Sequence, residues 1–159
     1  MTGKIDLLPV SASDEAFLMK LFEALRAPGY EKSGGHLQMP VVVHLQFKAR
    51  EQALASKYGD GEDSLILVDG TPVGRYRVVR REDEFQIGDL SILPEYQRRG
   101  IGSELIAKLT EEARVRRVPI LVQIGQRDLT AAAFFKKMHF EIAAQDASFV
   151  TLKWQHHCQ

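Results

Sequence analysis

Residues Gln97-Arg98-Arg99-Gly100-Ile101-Gly102-Ser103 place two arginines and two glycines in one short stretch. Before it stands an apolar, β-branched run, and after it a helical pattern. A strand that ends in such a turn and opens a helix presents backbone N–H groups with no intrahelical partner. The helix dipole adds partial positive charge at the same point. Glycine lets an anion approach the backbone closely, and Arg98 and Arg99 add full charges. The chemistry these types suit is the holding of a phosphate or pyrophosphate. A plain strand–turn–helix connection, with glycines for turn geometry, uses the same residues. A Rossmann fingerprint requires a third glycine where Leu105 stands, and a P-loop requires Gly-Lys-Ser/Thr where Gly102-Ser103-Glu104 stands.

The elements that must position this turn follow from hydrophobic period. Lys4–Val10 reads as a strand. Ser13-Asp14 offers N-cap chemistry for a helix to about Arg26, with Phe17, Leu18, Leu21, Phe22 and Leu25 at helical spacing, stopped by Pro28-Gly29. Tyr30–Pro40 reads as a polar loop. A second helix runs from Val41 to Tyr58, with Val42, Leu45, Ala49 and Ala53 recurring. Ser64–Val68 and Val73–Val79 flank Asp69-Gly70, a strong hairpin signal, and Phe85–Leu93 adds a further strand. Gly100–Arg117 is helical, with Ile101, Leu105, Ile106, Leu109 and Ala113 as its apolar stripe. Ile120–Ile124 reads as a strand buried on both faces. Thr130–Met138 reads as a short helix burying Ala131, Phe134, Phe135 and Met138, and Phe140–Ala143 and Phe149–Trp154 as two last strands. The fold class is α/β of a mixed, α+β-like kind: a mixed sheet of about six to seven strands in the order β-α-α-β-β-β-α-β-α-β-β, flanked by helices. The β–α–β unit from Phe85 to Ile124 makes its two strands parallel.

The chain has 159 residues, which suits one domain over 1–159, with 155–159 as a flexible tail. Lys+Arg and Asp+Glu are both 21, so no basic excess exists for sequence-independent nucleic-acid binding. Cys158 is the single cysteine, so no intrachain disulfide and no cysteine metal spacing is expected. No apolar run approaches the ~20 residues of a membrane span, and Met1-Thr2-Gly3-Lys4-Ile5 lacks a signal-peptide core. These features lead to an expectation of a soluble, cytoplasmic protein with no metal, no nucleic-acid partner and no membrane partner.

Gln97-Arg98-Arg99-Gly100-Ile101-Gly102 resembles the Gln/Arg-x-x-Gly-x-Gly/Ala motif of the GNAT superfamily of acetyl-CoA-dependent N-acetyltransferases. Asp89-Leu90-Ser91-Ile92-Leu93-Pro94-Glu95-Tyr96 is similar to that family's lead-in strand. A second motif, Asn-x-x-Ala-x-x-Leu-Tyr-x-Lys-x-Gly-Phe, is matched in spacing by Asp128, Ala131, Phe134-Phe135, Lys137, His139 and Phe140. The resemblance covers the element order of the whole chain. It implies acetyl-CoA as co-substrate and a small-molecule or peptide amine as acceptor. Backbone N–H groups from Arg98 to Ser103 then hold the pyrophosphate, with Gln97 completing the motif. Leu90, Ser91 and Ile92 lie beside the pantetheine, on a bulged strand that splays from the next. The Ile92 N–H polarises the thioester carbonyl. Asp128, Ala131 and Phe135 sit where the family contacts the pantetheine arm, although Asp128 is equally suited to cap its helix. A homodimer through the last strands is common in the family.

The departures from the pattern concern proton transfer. Phe135 stands where many members have the tyrosine that protonates the leaving thiolate. Gln123 and Gln86 stand where members carry a base, and an amide is no base at neutral pH. Asp89 is the nearest carboxylate, as base or water-positioner, with Glu84 and His44 more distant; a water chain without a dedicated base is the remaining option. His139 replaces the usual glycine before Phe140, as a surface residue closing the helix. The acceptor region falls to the first two helices, the loop Tyr30–Pro40 and the last strands. Val41-Val42-Val43 and Phe47 suggest an apolar wall there. His36, His44, Arg75 and Arg77 are groups that could meet an anionic acceptor, although each also reads as a solvated side chain. Two main functions follow: an active N-acetyltransferase, or a non-catalytic coenzyme-A-binding sensor or interaction module on the same fold; an unrelated phosphate-binding α/β domain is a third reading.

Overall fold

The elements appear in the expected order in a computed structural model that describes residues 3–32 and 40–156, with backbone only for 27–32. They are β1 (Ile5–Pro9), α1 (Glu15–Lys32), α2 (Pro40–Tyr58), β2 (Glu62–Val68), β3 (Thr71–Arg80) and β4 (Phe85–Ile92), then α3 (Ile101–Arg116), β5 (Ile120–Gly125), α4 (Leu129–Lys137), β6 (Glu141–Gln145) and β7 (Phe149–Trp154). Short 3-10 turns cover Ala12–Asp14 and Pro94–Tyr96. Seven strands hydrogen-bond in the order β1-β2-β3-β4-β5-β7-β6. β4 and β5 are parallel, as the β–α–β unit requires, while β1/β2, β5/β7 and β6/β7 are antiparallel. The β4–β5 pairing covers Phe85–Ile87 with Ile120–Val122. The chain divides into two compact units, Met1–Arg77 with Asp89–Arg99, and Val78–Gly88 with Gly100–Gln159.

In the first unit, Ser11 and not Ser13 opens the helical segment: its N–H donates to the Asp14 carboxylate at 2.8 Å. α1 continues through Pro28-Gly29 to Lys32. Proline there removes one backbone donor from the helix. Pro40 opens α2, where its missing N–H has no partner to lose. Of the loop expected over Tyr30–Pro40, residues 33–39 with His36 lie outside the described residues. The core joins Leu18, Phe47 and Leu65, with Val10, Phe17, Met19, Phe22 and Leu67 against them. Phe22 meets Phe47 edge-on at 5.7 Å. The stripe that α2 turns inward is Val43, Phe47, Glu51, Leu54 and Tyr58. The expected stripe of Val42, Leu45, Ala49 and Ala53 faces outward instead. An apolar count misses the buried stripe because Glu51 interrupts it. The Asp69-Gly70 hairpin forms with both residues left-handed, φ 49° and 84°, the type I′ geometry.

In the second unit, α3 buries Ile101, Leu105, Ile106, Leu109 and Ala113. Arg80 and Arg116 stack their guanidinium carbons 5.9 and 5.8 Å from the centroid of the buried Phe85 ring. β5 buries Ile120, Val122 and Ile124 on one face and exposes Gln123 on the other, so it is not buried on both faces. α4 fully buries Phe135; Ala131, Phe134 and Met138 are half-buried. Both helices end in the same motif. Val118 N–H reaches Ala113 and Arg117 N–H reaches Arg114; Phe140 N–H reaches Phe135 and His139 N–H reaches Lys136. The left-handed residues that make these stops are Arg117, φ 59°, and His139, φ 73°.

Candidate active site

The head of α3 is bare of side-chain caps. Its first ladder bond is Glu104 N–H to Gly100 C=O at 2.9 Å, so the N–H groups of Ile101, Gly102 and Ser103 precede the ladder. Gly100 is left-handed at φ 84°, as only glycine does without strain. Just before it, Arg98 is left-handed at φ 61°. Left-handed residues alternating with ordinary ones turn successive N–H groups toward one point, a geometry suited to an anion. Gln97, Arg98, Arg99 and Gly100 are exposed, whereas Ile101 and Gly102 are buried and Ser103 is half-buried. Arg99 lies over the Tyr96 ring at 5.0 Å. The donor set therefore fits a pyrophosphate: backbone N–H groups, a helix N-terminus and exposed guanidiniums.

Asp89, Leu90, Ser91 and Ile92 form the end of β4. The Asp89 side chain is 4% exposed and is held on two sides. Ser91 Oγ donates to its Oδ1 at 2.6 Å, and Arg50 Nη1 of α2 donates to its Oδ2 at 3.3 Å. The Gln97 amide Nε2 donates to the Ile92 carbonyl at 2.9 Å, and Leu93 N–H donates to Val73 C=O at 2.8 Å. Gln97 thus anchors the strand end rather than reaching outward.

Beside Arg50 on α2, Glu51 takes part in a second ion pair. Arg75, 3% exposed, donates Nη1 and Nη2 to both Glu51 oxygens, the latter at 2.9 Å. Its Nε and Nη2 donate to Asp63 at 2.9 and 2.7 Å. Arg77 Nη2 shares the same Asp63 at 2.6 Å, while its buried Nε and Nη1 find no protein acceptor among the described residues. Burial pushes the Asp63 carboxyl up, but the hydrogen bonds and charges of Arg75 and Arg77 outweigh it and hold it below its ordinary value. Burial likewise pushes the Arg75 guanidinium down, and its two carboxylate partners reverse that and raise it. Arg75 and Arg77 are therefore internal ties, and neither is a solvated side chain. His44 is exposed, as are Val41, Val42 and Leu45, while Val43 is half-buried and Phe47 sits in the core.

On the second unit, the Asp128 carboxylate accepts the Ala131 N–H at 3.0 Å and caps α4. Phe135 is 4% exposed and meets Phe134 and Phe140 edge-on at 5.0 and 5.1 Å. Its ring carries no proton donor. Gln86 Nε2 donates to the Glu84 carboxylate at 2.6 Å. Among the described residues no group of three His, Cys, Asp or Glu side chains could hold a metal ion, and no helix is long and apolar enough to cross a membrane. The motifs pointed to Gln97–Ser103 and Asp89–Ile92. They did not point to Arg50, Glu51 or Asp63, which pair with residues 39, 24 and 12 positions away. Nothing in the local sequence singles out Arg50 or Glu51, since α2 also carries Lys48 and Lys57 and its apolar residues fall on both faces.

Solved structures that share this fold include three acetyltransferases. An acetyltransferase from Thermus thermophilus has 17% identity and a TM-score of 0.70, covering 98% of this chain and 99% of its own. The PaiA N-acetyltransferase from Thermoplasma acidophilum, in complex with coenzyme A, has 13% identity and a TM-score of 0.69, with 96% and 99% covered. A GNAT family acetyltransferase from Elizabethkingia anophelis with acetyl-CoA bound has 14% identity and a TM-score of 0.60, with 95% and 97% covered. No curated protein sequence matches the chain. At these identities the likeness establishes the fold, and family membership rests on the sequence itself. Residues 60–142, just over half of the chain, match the family described as acetyltransferase (GNAT) domain, and the chain belongs to that family.

Proposed function

We propose that this protein is an N-acetyltransferase that moves the acetyl group of acetyl-CoA to a primary amine of a small molecule or peptide by direct attack in a ternary complex. The observation that carries the reading is the pair of left-handed residues, Arg98 and Gly100, leading into the uncapped N-terminus of α3 in a GNAT-family chain. Backbone N–H groups from Arg98 to Ser103 hold the pyrophosphate, and Arg98 and Arg99 neutralise part of its charge. Leu90, Ser91 and Ile92 line the pantetheine arm, with Asp128, Ala131 and Phe135 as its further contacts. The thioester supplies an activated acetyl group with a weakly basic leaving thiolate. The Ile92 N–H polarises its carbonyl. Asp89, oriented by Ser91 and Arg50, takes the proton that the acceptor ammonium must lose before its nitrogen can attack. With Phe135 at the acid position, the thiolate leaves without a proton from that ring.

The test is calorimetric titration of the full chain with coenzyme A, followed by thiol release from acetyl-CoA across a panel of amines. Saturable binding is expected, weakened at least tenfold in Gly102→Val because a side chain at the α3 head obstructs the anion. Absence of binding by the native chain overturns the reading. A second reading, a non-catalytic coenzyme-A-binding sensor or interaction module, is favoured by one observation: Phe135 is packed between two rings and carries no hydroxyl. Binding without thiol release for any amine would establish it.

A further inference from the structure

We propose that Gly74 is a positioning residue for acetyl transfer: its missing side chain makes the room in which the Ser91–Ile92 peptide turns, and so aims the Ile92 N–H. The inference rests on the reading above, in which that N–H meets the thioester carbonyl. A Cβ built on Gly74 would lie 2.2 Å from the Ser91 carbonyl oxygen and 3.2 Å from both Ile92 Cα and Ile66 Cδ1. In a regular ladder the carbonyls lie within the sheet and the Cβ atoms stand out of it. A carbonyl oxygen occupying the place of a neighbour's Cβ has left the plane of the ladder. Gly74 is not among the positive-φ glycines, so its backbone conformation does not require glycine. What the position requires is space.

The peptide group is planar and trans, so its C=O and N–H point in opposite directions. Turning the Ser91 carbonyl over Gly74 therefore turns the Ile92 N–H toward the opposite side. The neighbouring groups hold that orientation. Leu93 N–H is tied to Val73, the Ile92 carbonyl to Gln97, and the Ser91 hydroxyl to Asp89. Gly74 is thus the one position on β3 that must stay empty for the strand end to keep its turn.

The experiment compares the native chain with Gly74→Ala, Ile66→Val and the double variant. Coenzyme A affinity, kcat with a saturating amine, and the infrared carbonyl stretch of bound ¹³C-acetyl-CoA are measured for each. Gly74→Ala is expected to keep coenzyme A affinity and to lose kcat by roughly 10²-fold, the scale of one oxyanion donor. Its carbonyl band is expected to move back toward that of free acetyl-CoA. Ile66→Val removes Cδ1 from the contact and leaves the Ser91 carbonyl in place, so the double variant stays impaired. Native kcat in Gly74→Ala, or recovery in the double variant, overturns the proposal, the latter by making Gly74 a matter of side-chain packing. If the alanine chain does not fold, Gln97→Leu decides, since Gln97 is exposed and its amide anchors the adjoining Ile92–Leu93 peptide, which with Gly74 sets the turn of the strand end. A kcat loss with a shifted band supports the proposal, and native values overturn it. A native chain that binds no coenzyme A, or binds it without turnover, fails the functional reading itself, a result separate from any variant effect.

Discussion

Asp89 is a nearly buried carboxylate with one half-exposed cation, Arg50, 41% exposed, and one hydroxyl against it. Asparagine would keep its shape and the Ser91 contact but cannot take a proton. Because Arg50 is open to water, losing its partner costs little stability. Asp89→Asn is therefore expected to lower kcat by roughly 10²–10⁴-fold with coenzyme A affinity unchanged. The loss should shrink as pH rises toward the amine's own pKa of about 10, because the acceptor then arrives neutral. A loss that stays constant with pH would make Asp89 a structural hydrogen-bond acceptor. Asp89 was legible in sequence as the nearest carboxylate on a motif strand. Arg50 was not, because it stands 39 residues away on a helix whose period does not mark it. Nor was the role of Gln97, whose amide looks outward in sequence and turns back onto Ile92 in space.

Helices and strands were legible to within a few residues wherever period and turn chemistry agreed, as in the β–α–β unit and the Asp69-Gly70 hairpin. What was not legible was which side chains those elements bury where a charge lies inside. α2 presents Glu51 inside its buried stripe, and β3 presents Arg75 and Arg77 inside its buried run. Each charge alone reads as surface, and only their pairing makes burial tolerable. The two arginines are expected to differ sharply. Arg75→Met leaves the Glu51 carboxylate without its cation and Asp63 without its bidentate partner, a loss of about 3–5 kcal/mol. Arg77→Met leaves Asp63 still held by Arg75 and removes two buried guanidinium nitrogens that have no acceptor among the described residues, so its cost is about 1 kcal/mol or less. Urea unfolding followed by circular dichroism checks the pair; equal midpoints would mean that Asp63 does not prefer Arg75.

For the whole chain, the lowered Asp63 carboxyl sets an acid limit. A carboxyl lower in the folded than in the unfolded state contributes its full stability above the unfolded value, here 3.8, and loses it as pH falls through the folded value. Asp146, lowered by the backbone N–H groups of Phe149 and Ser148, acts in the same direction. Thermal melts are expected to fall steeply below about pH 4, and Asp63→Asn to start lower at pH 7 and fall less steeply. An unchanged slope in that variant would place the acid limit elsewhere. At the opposite end of the molecule's chemistry stands Arg98, held left-handed without a glycine's freedom. A side chain in that region costs about 1 kcal/mol, and folding meets that cost before any donor arrives. The turn is in that sense a mould set in advance. Under the proposed function, association with this turn is expected to need no ordering step, so the donor's arrival would be governed by diffusion and charge, and its departure by the strength of the grip.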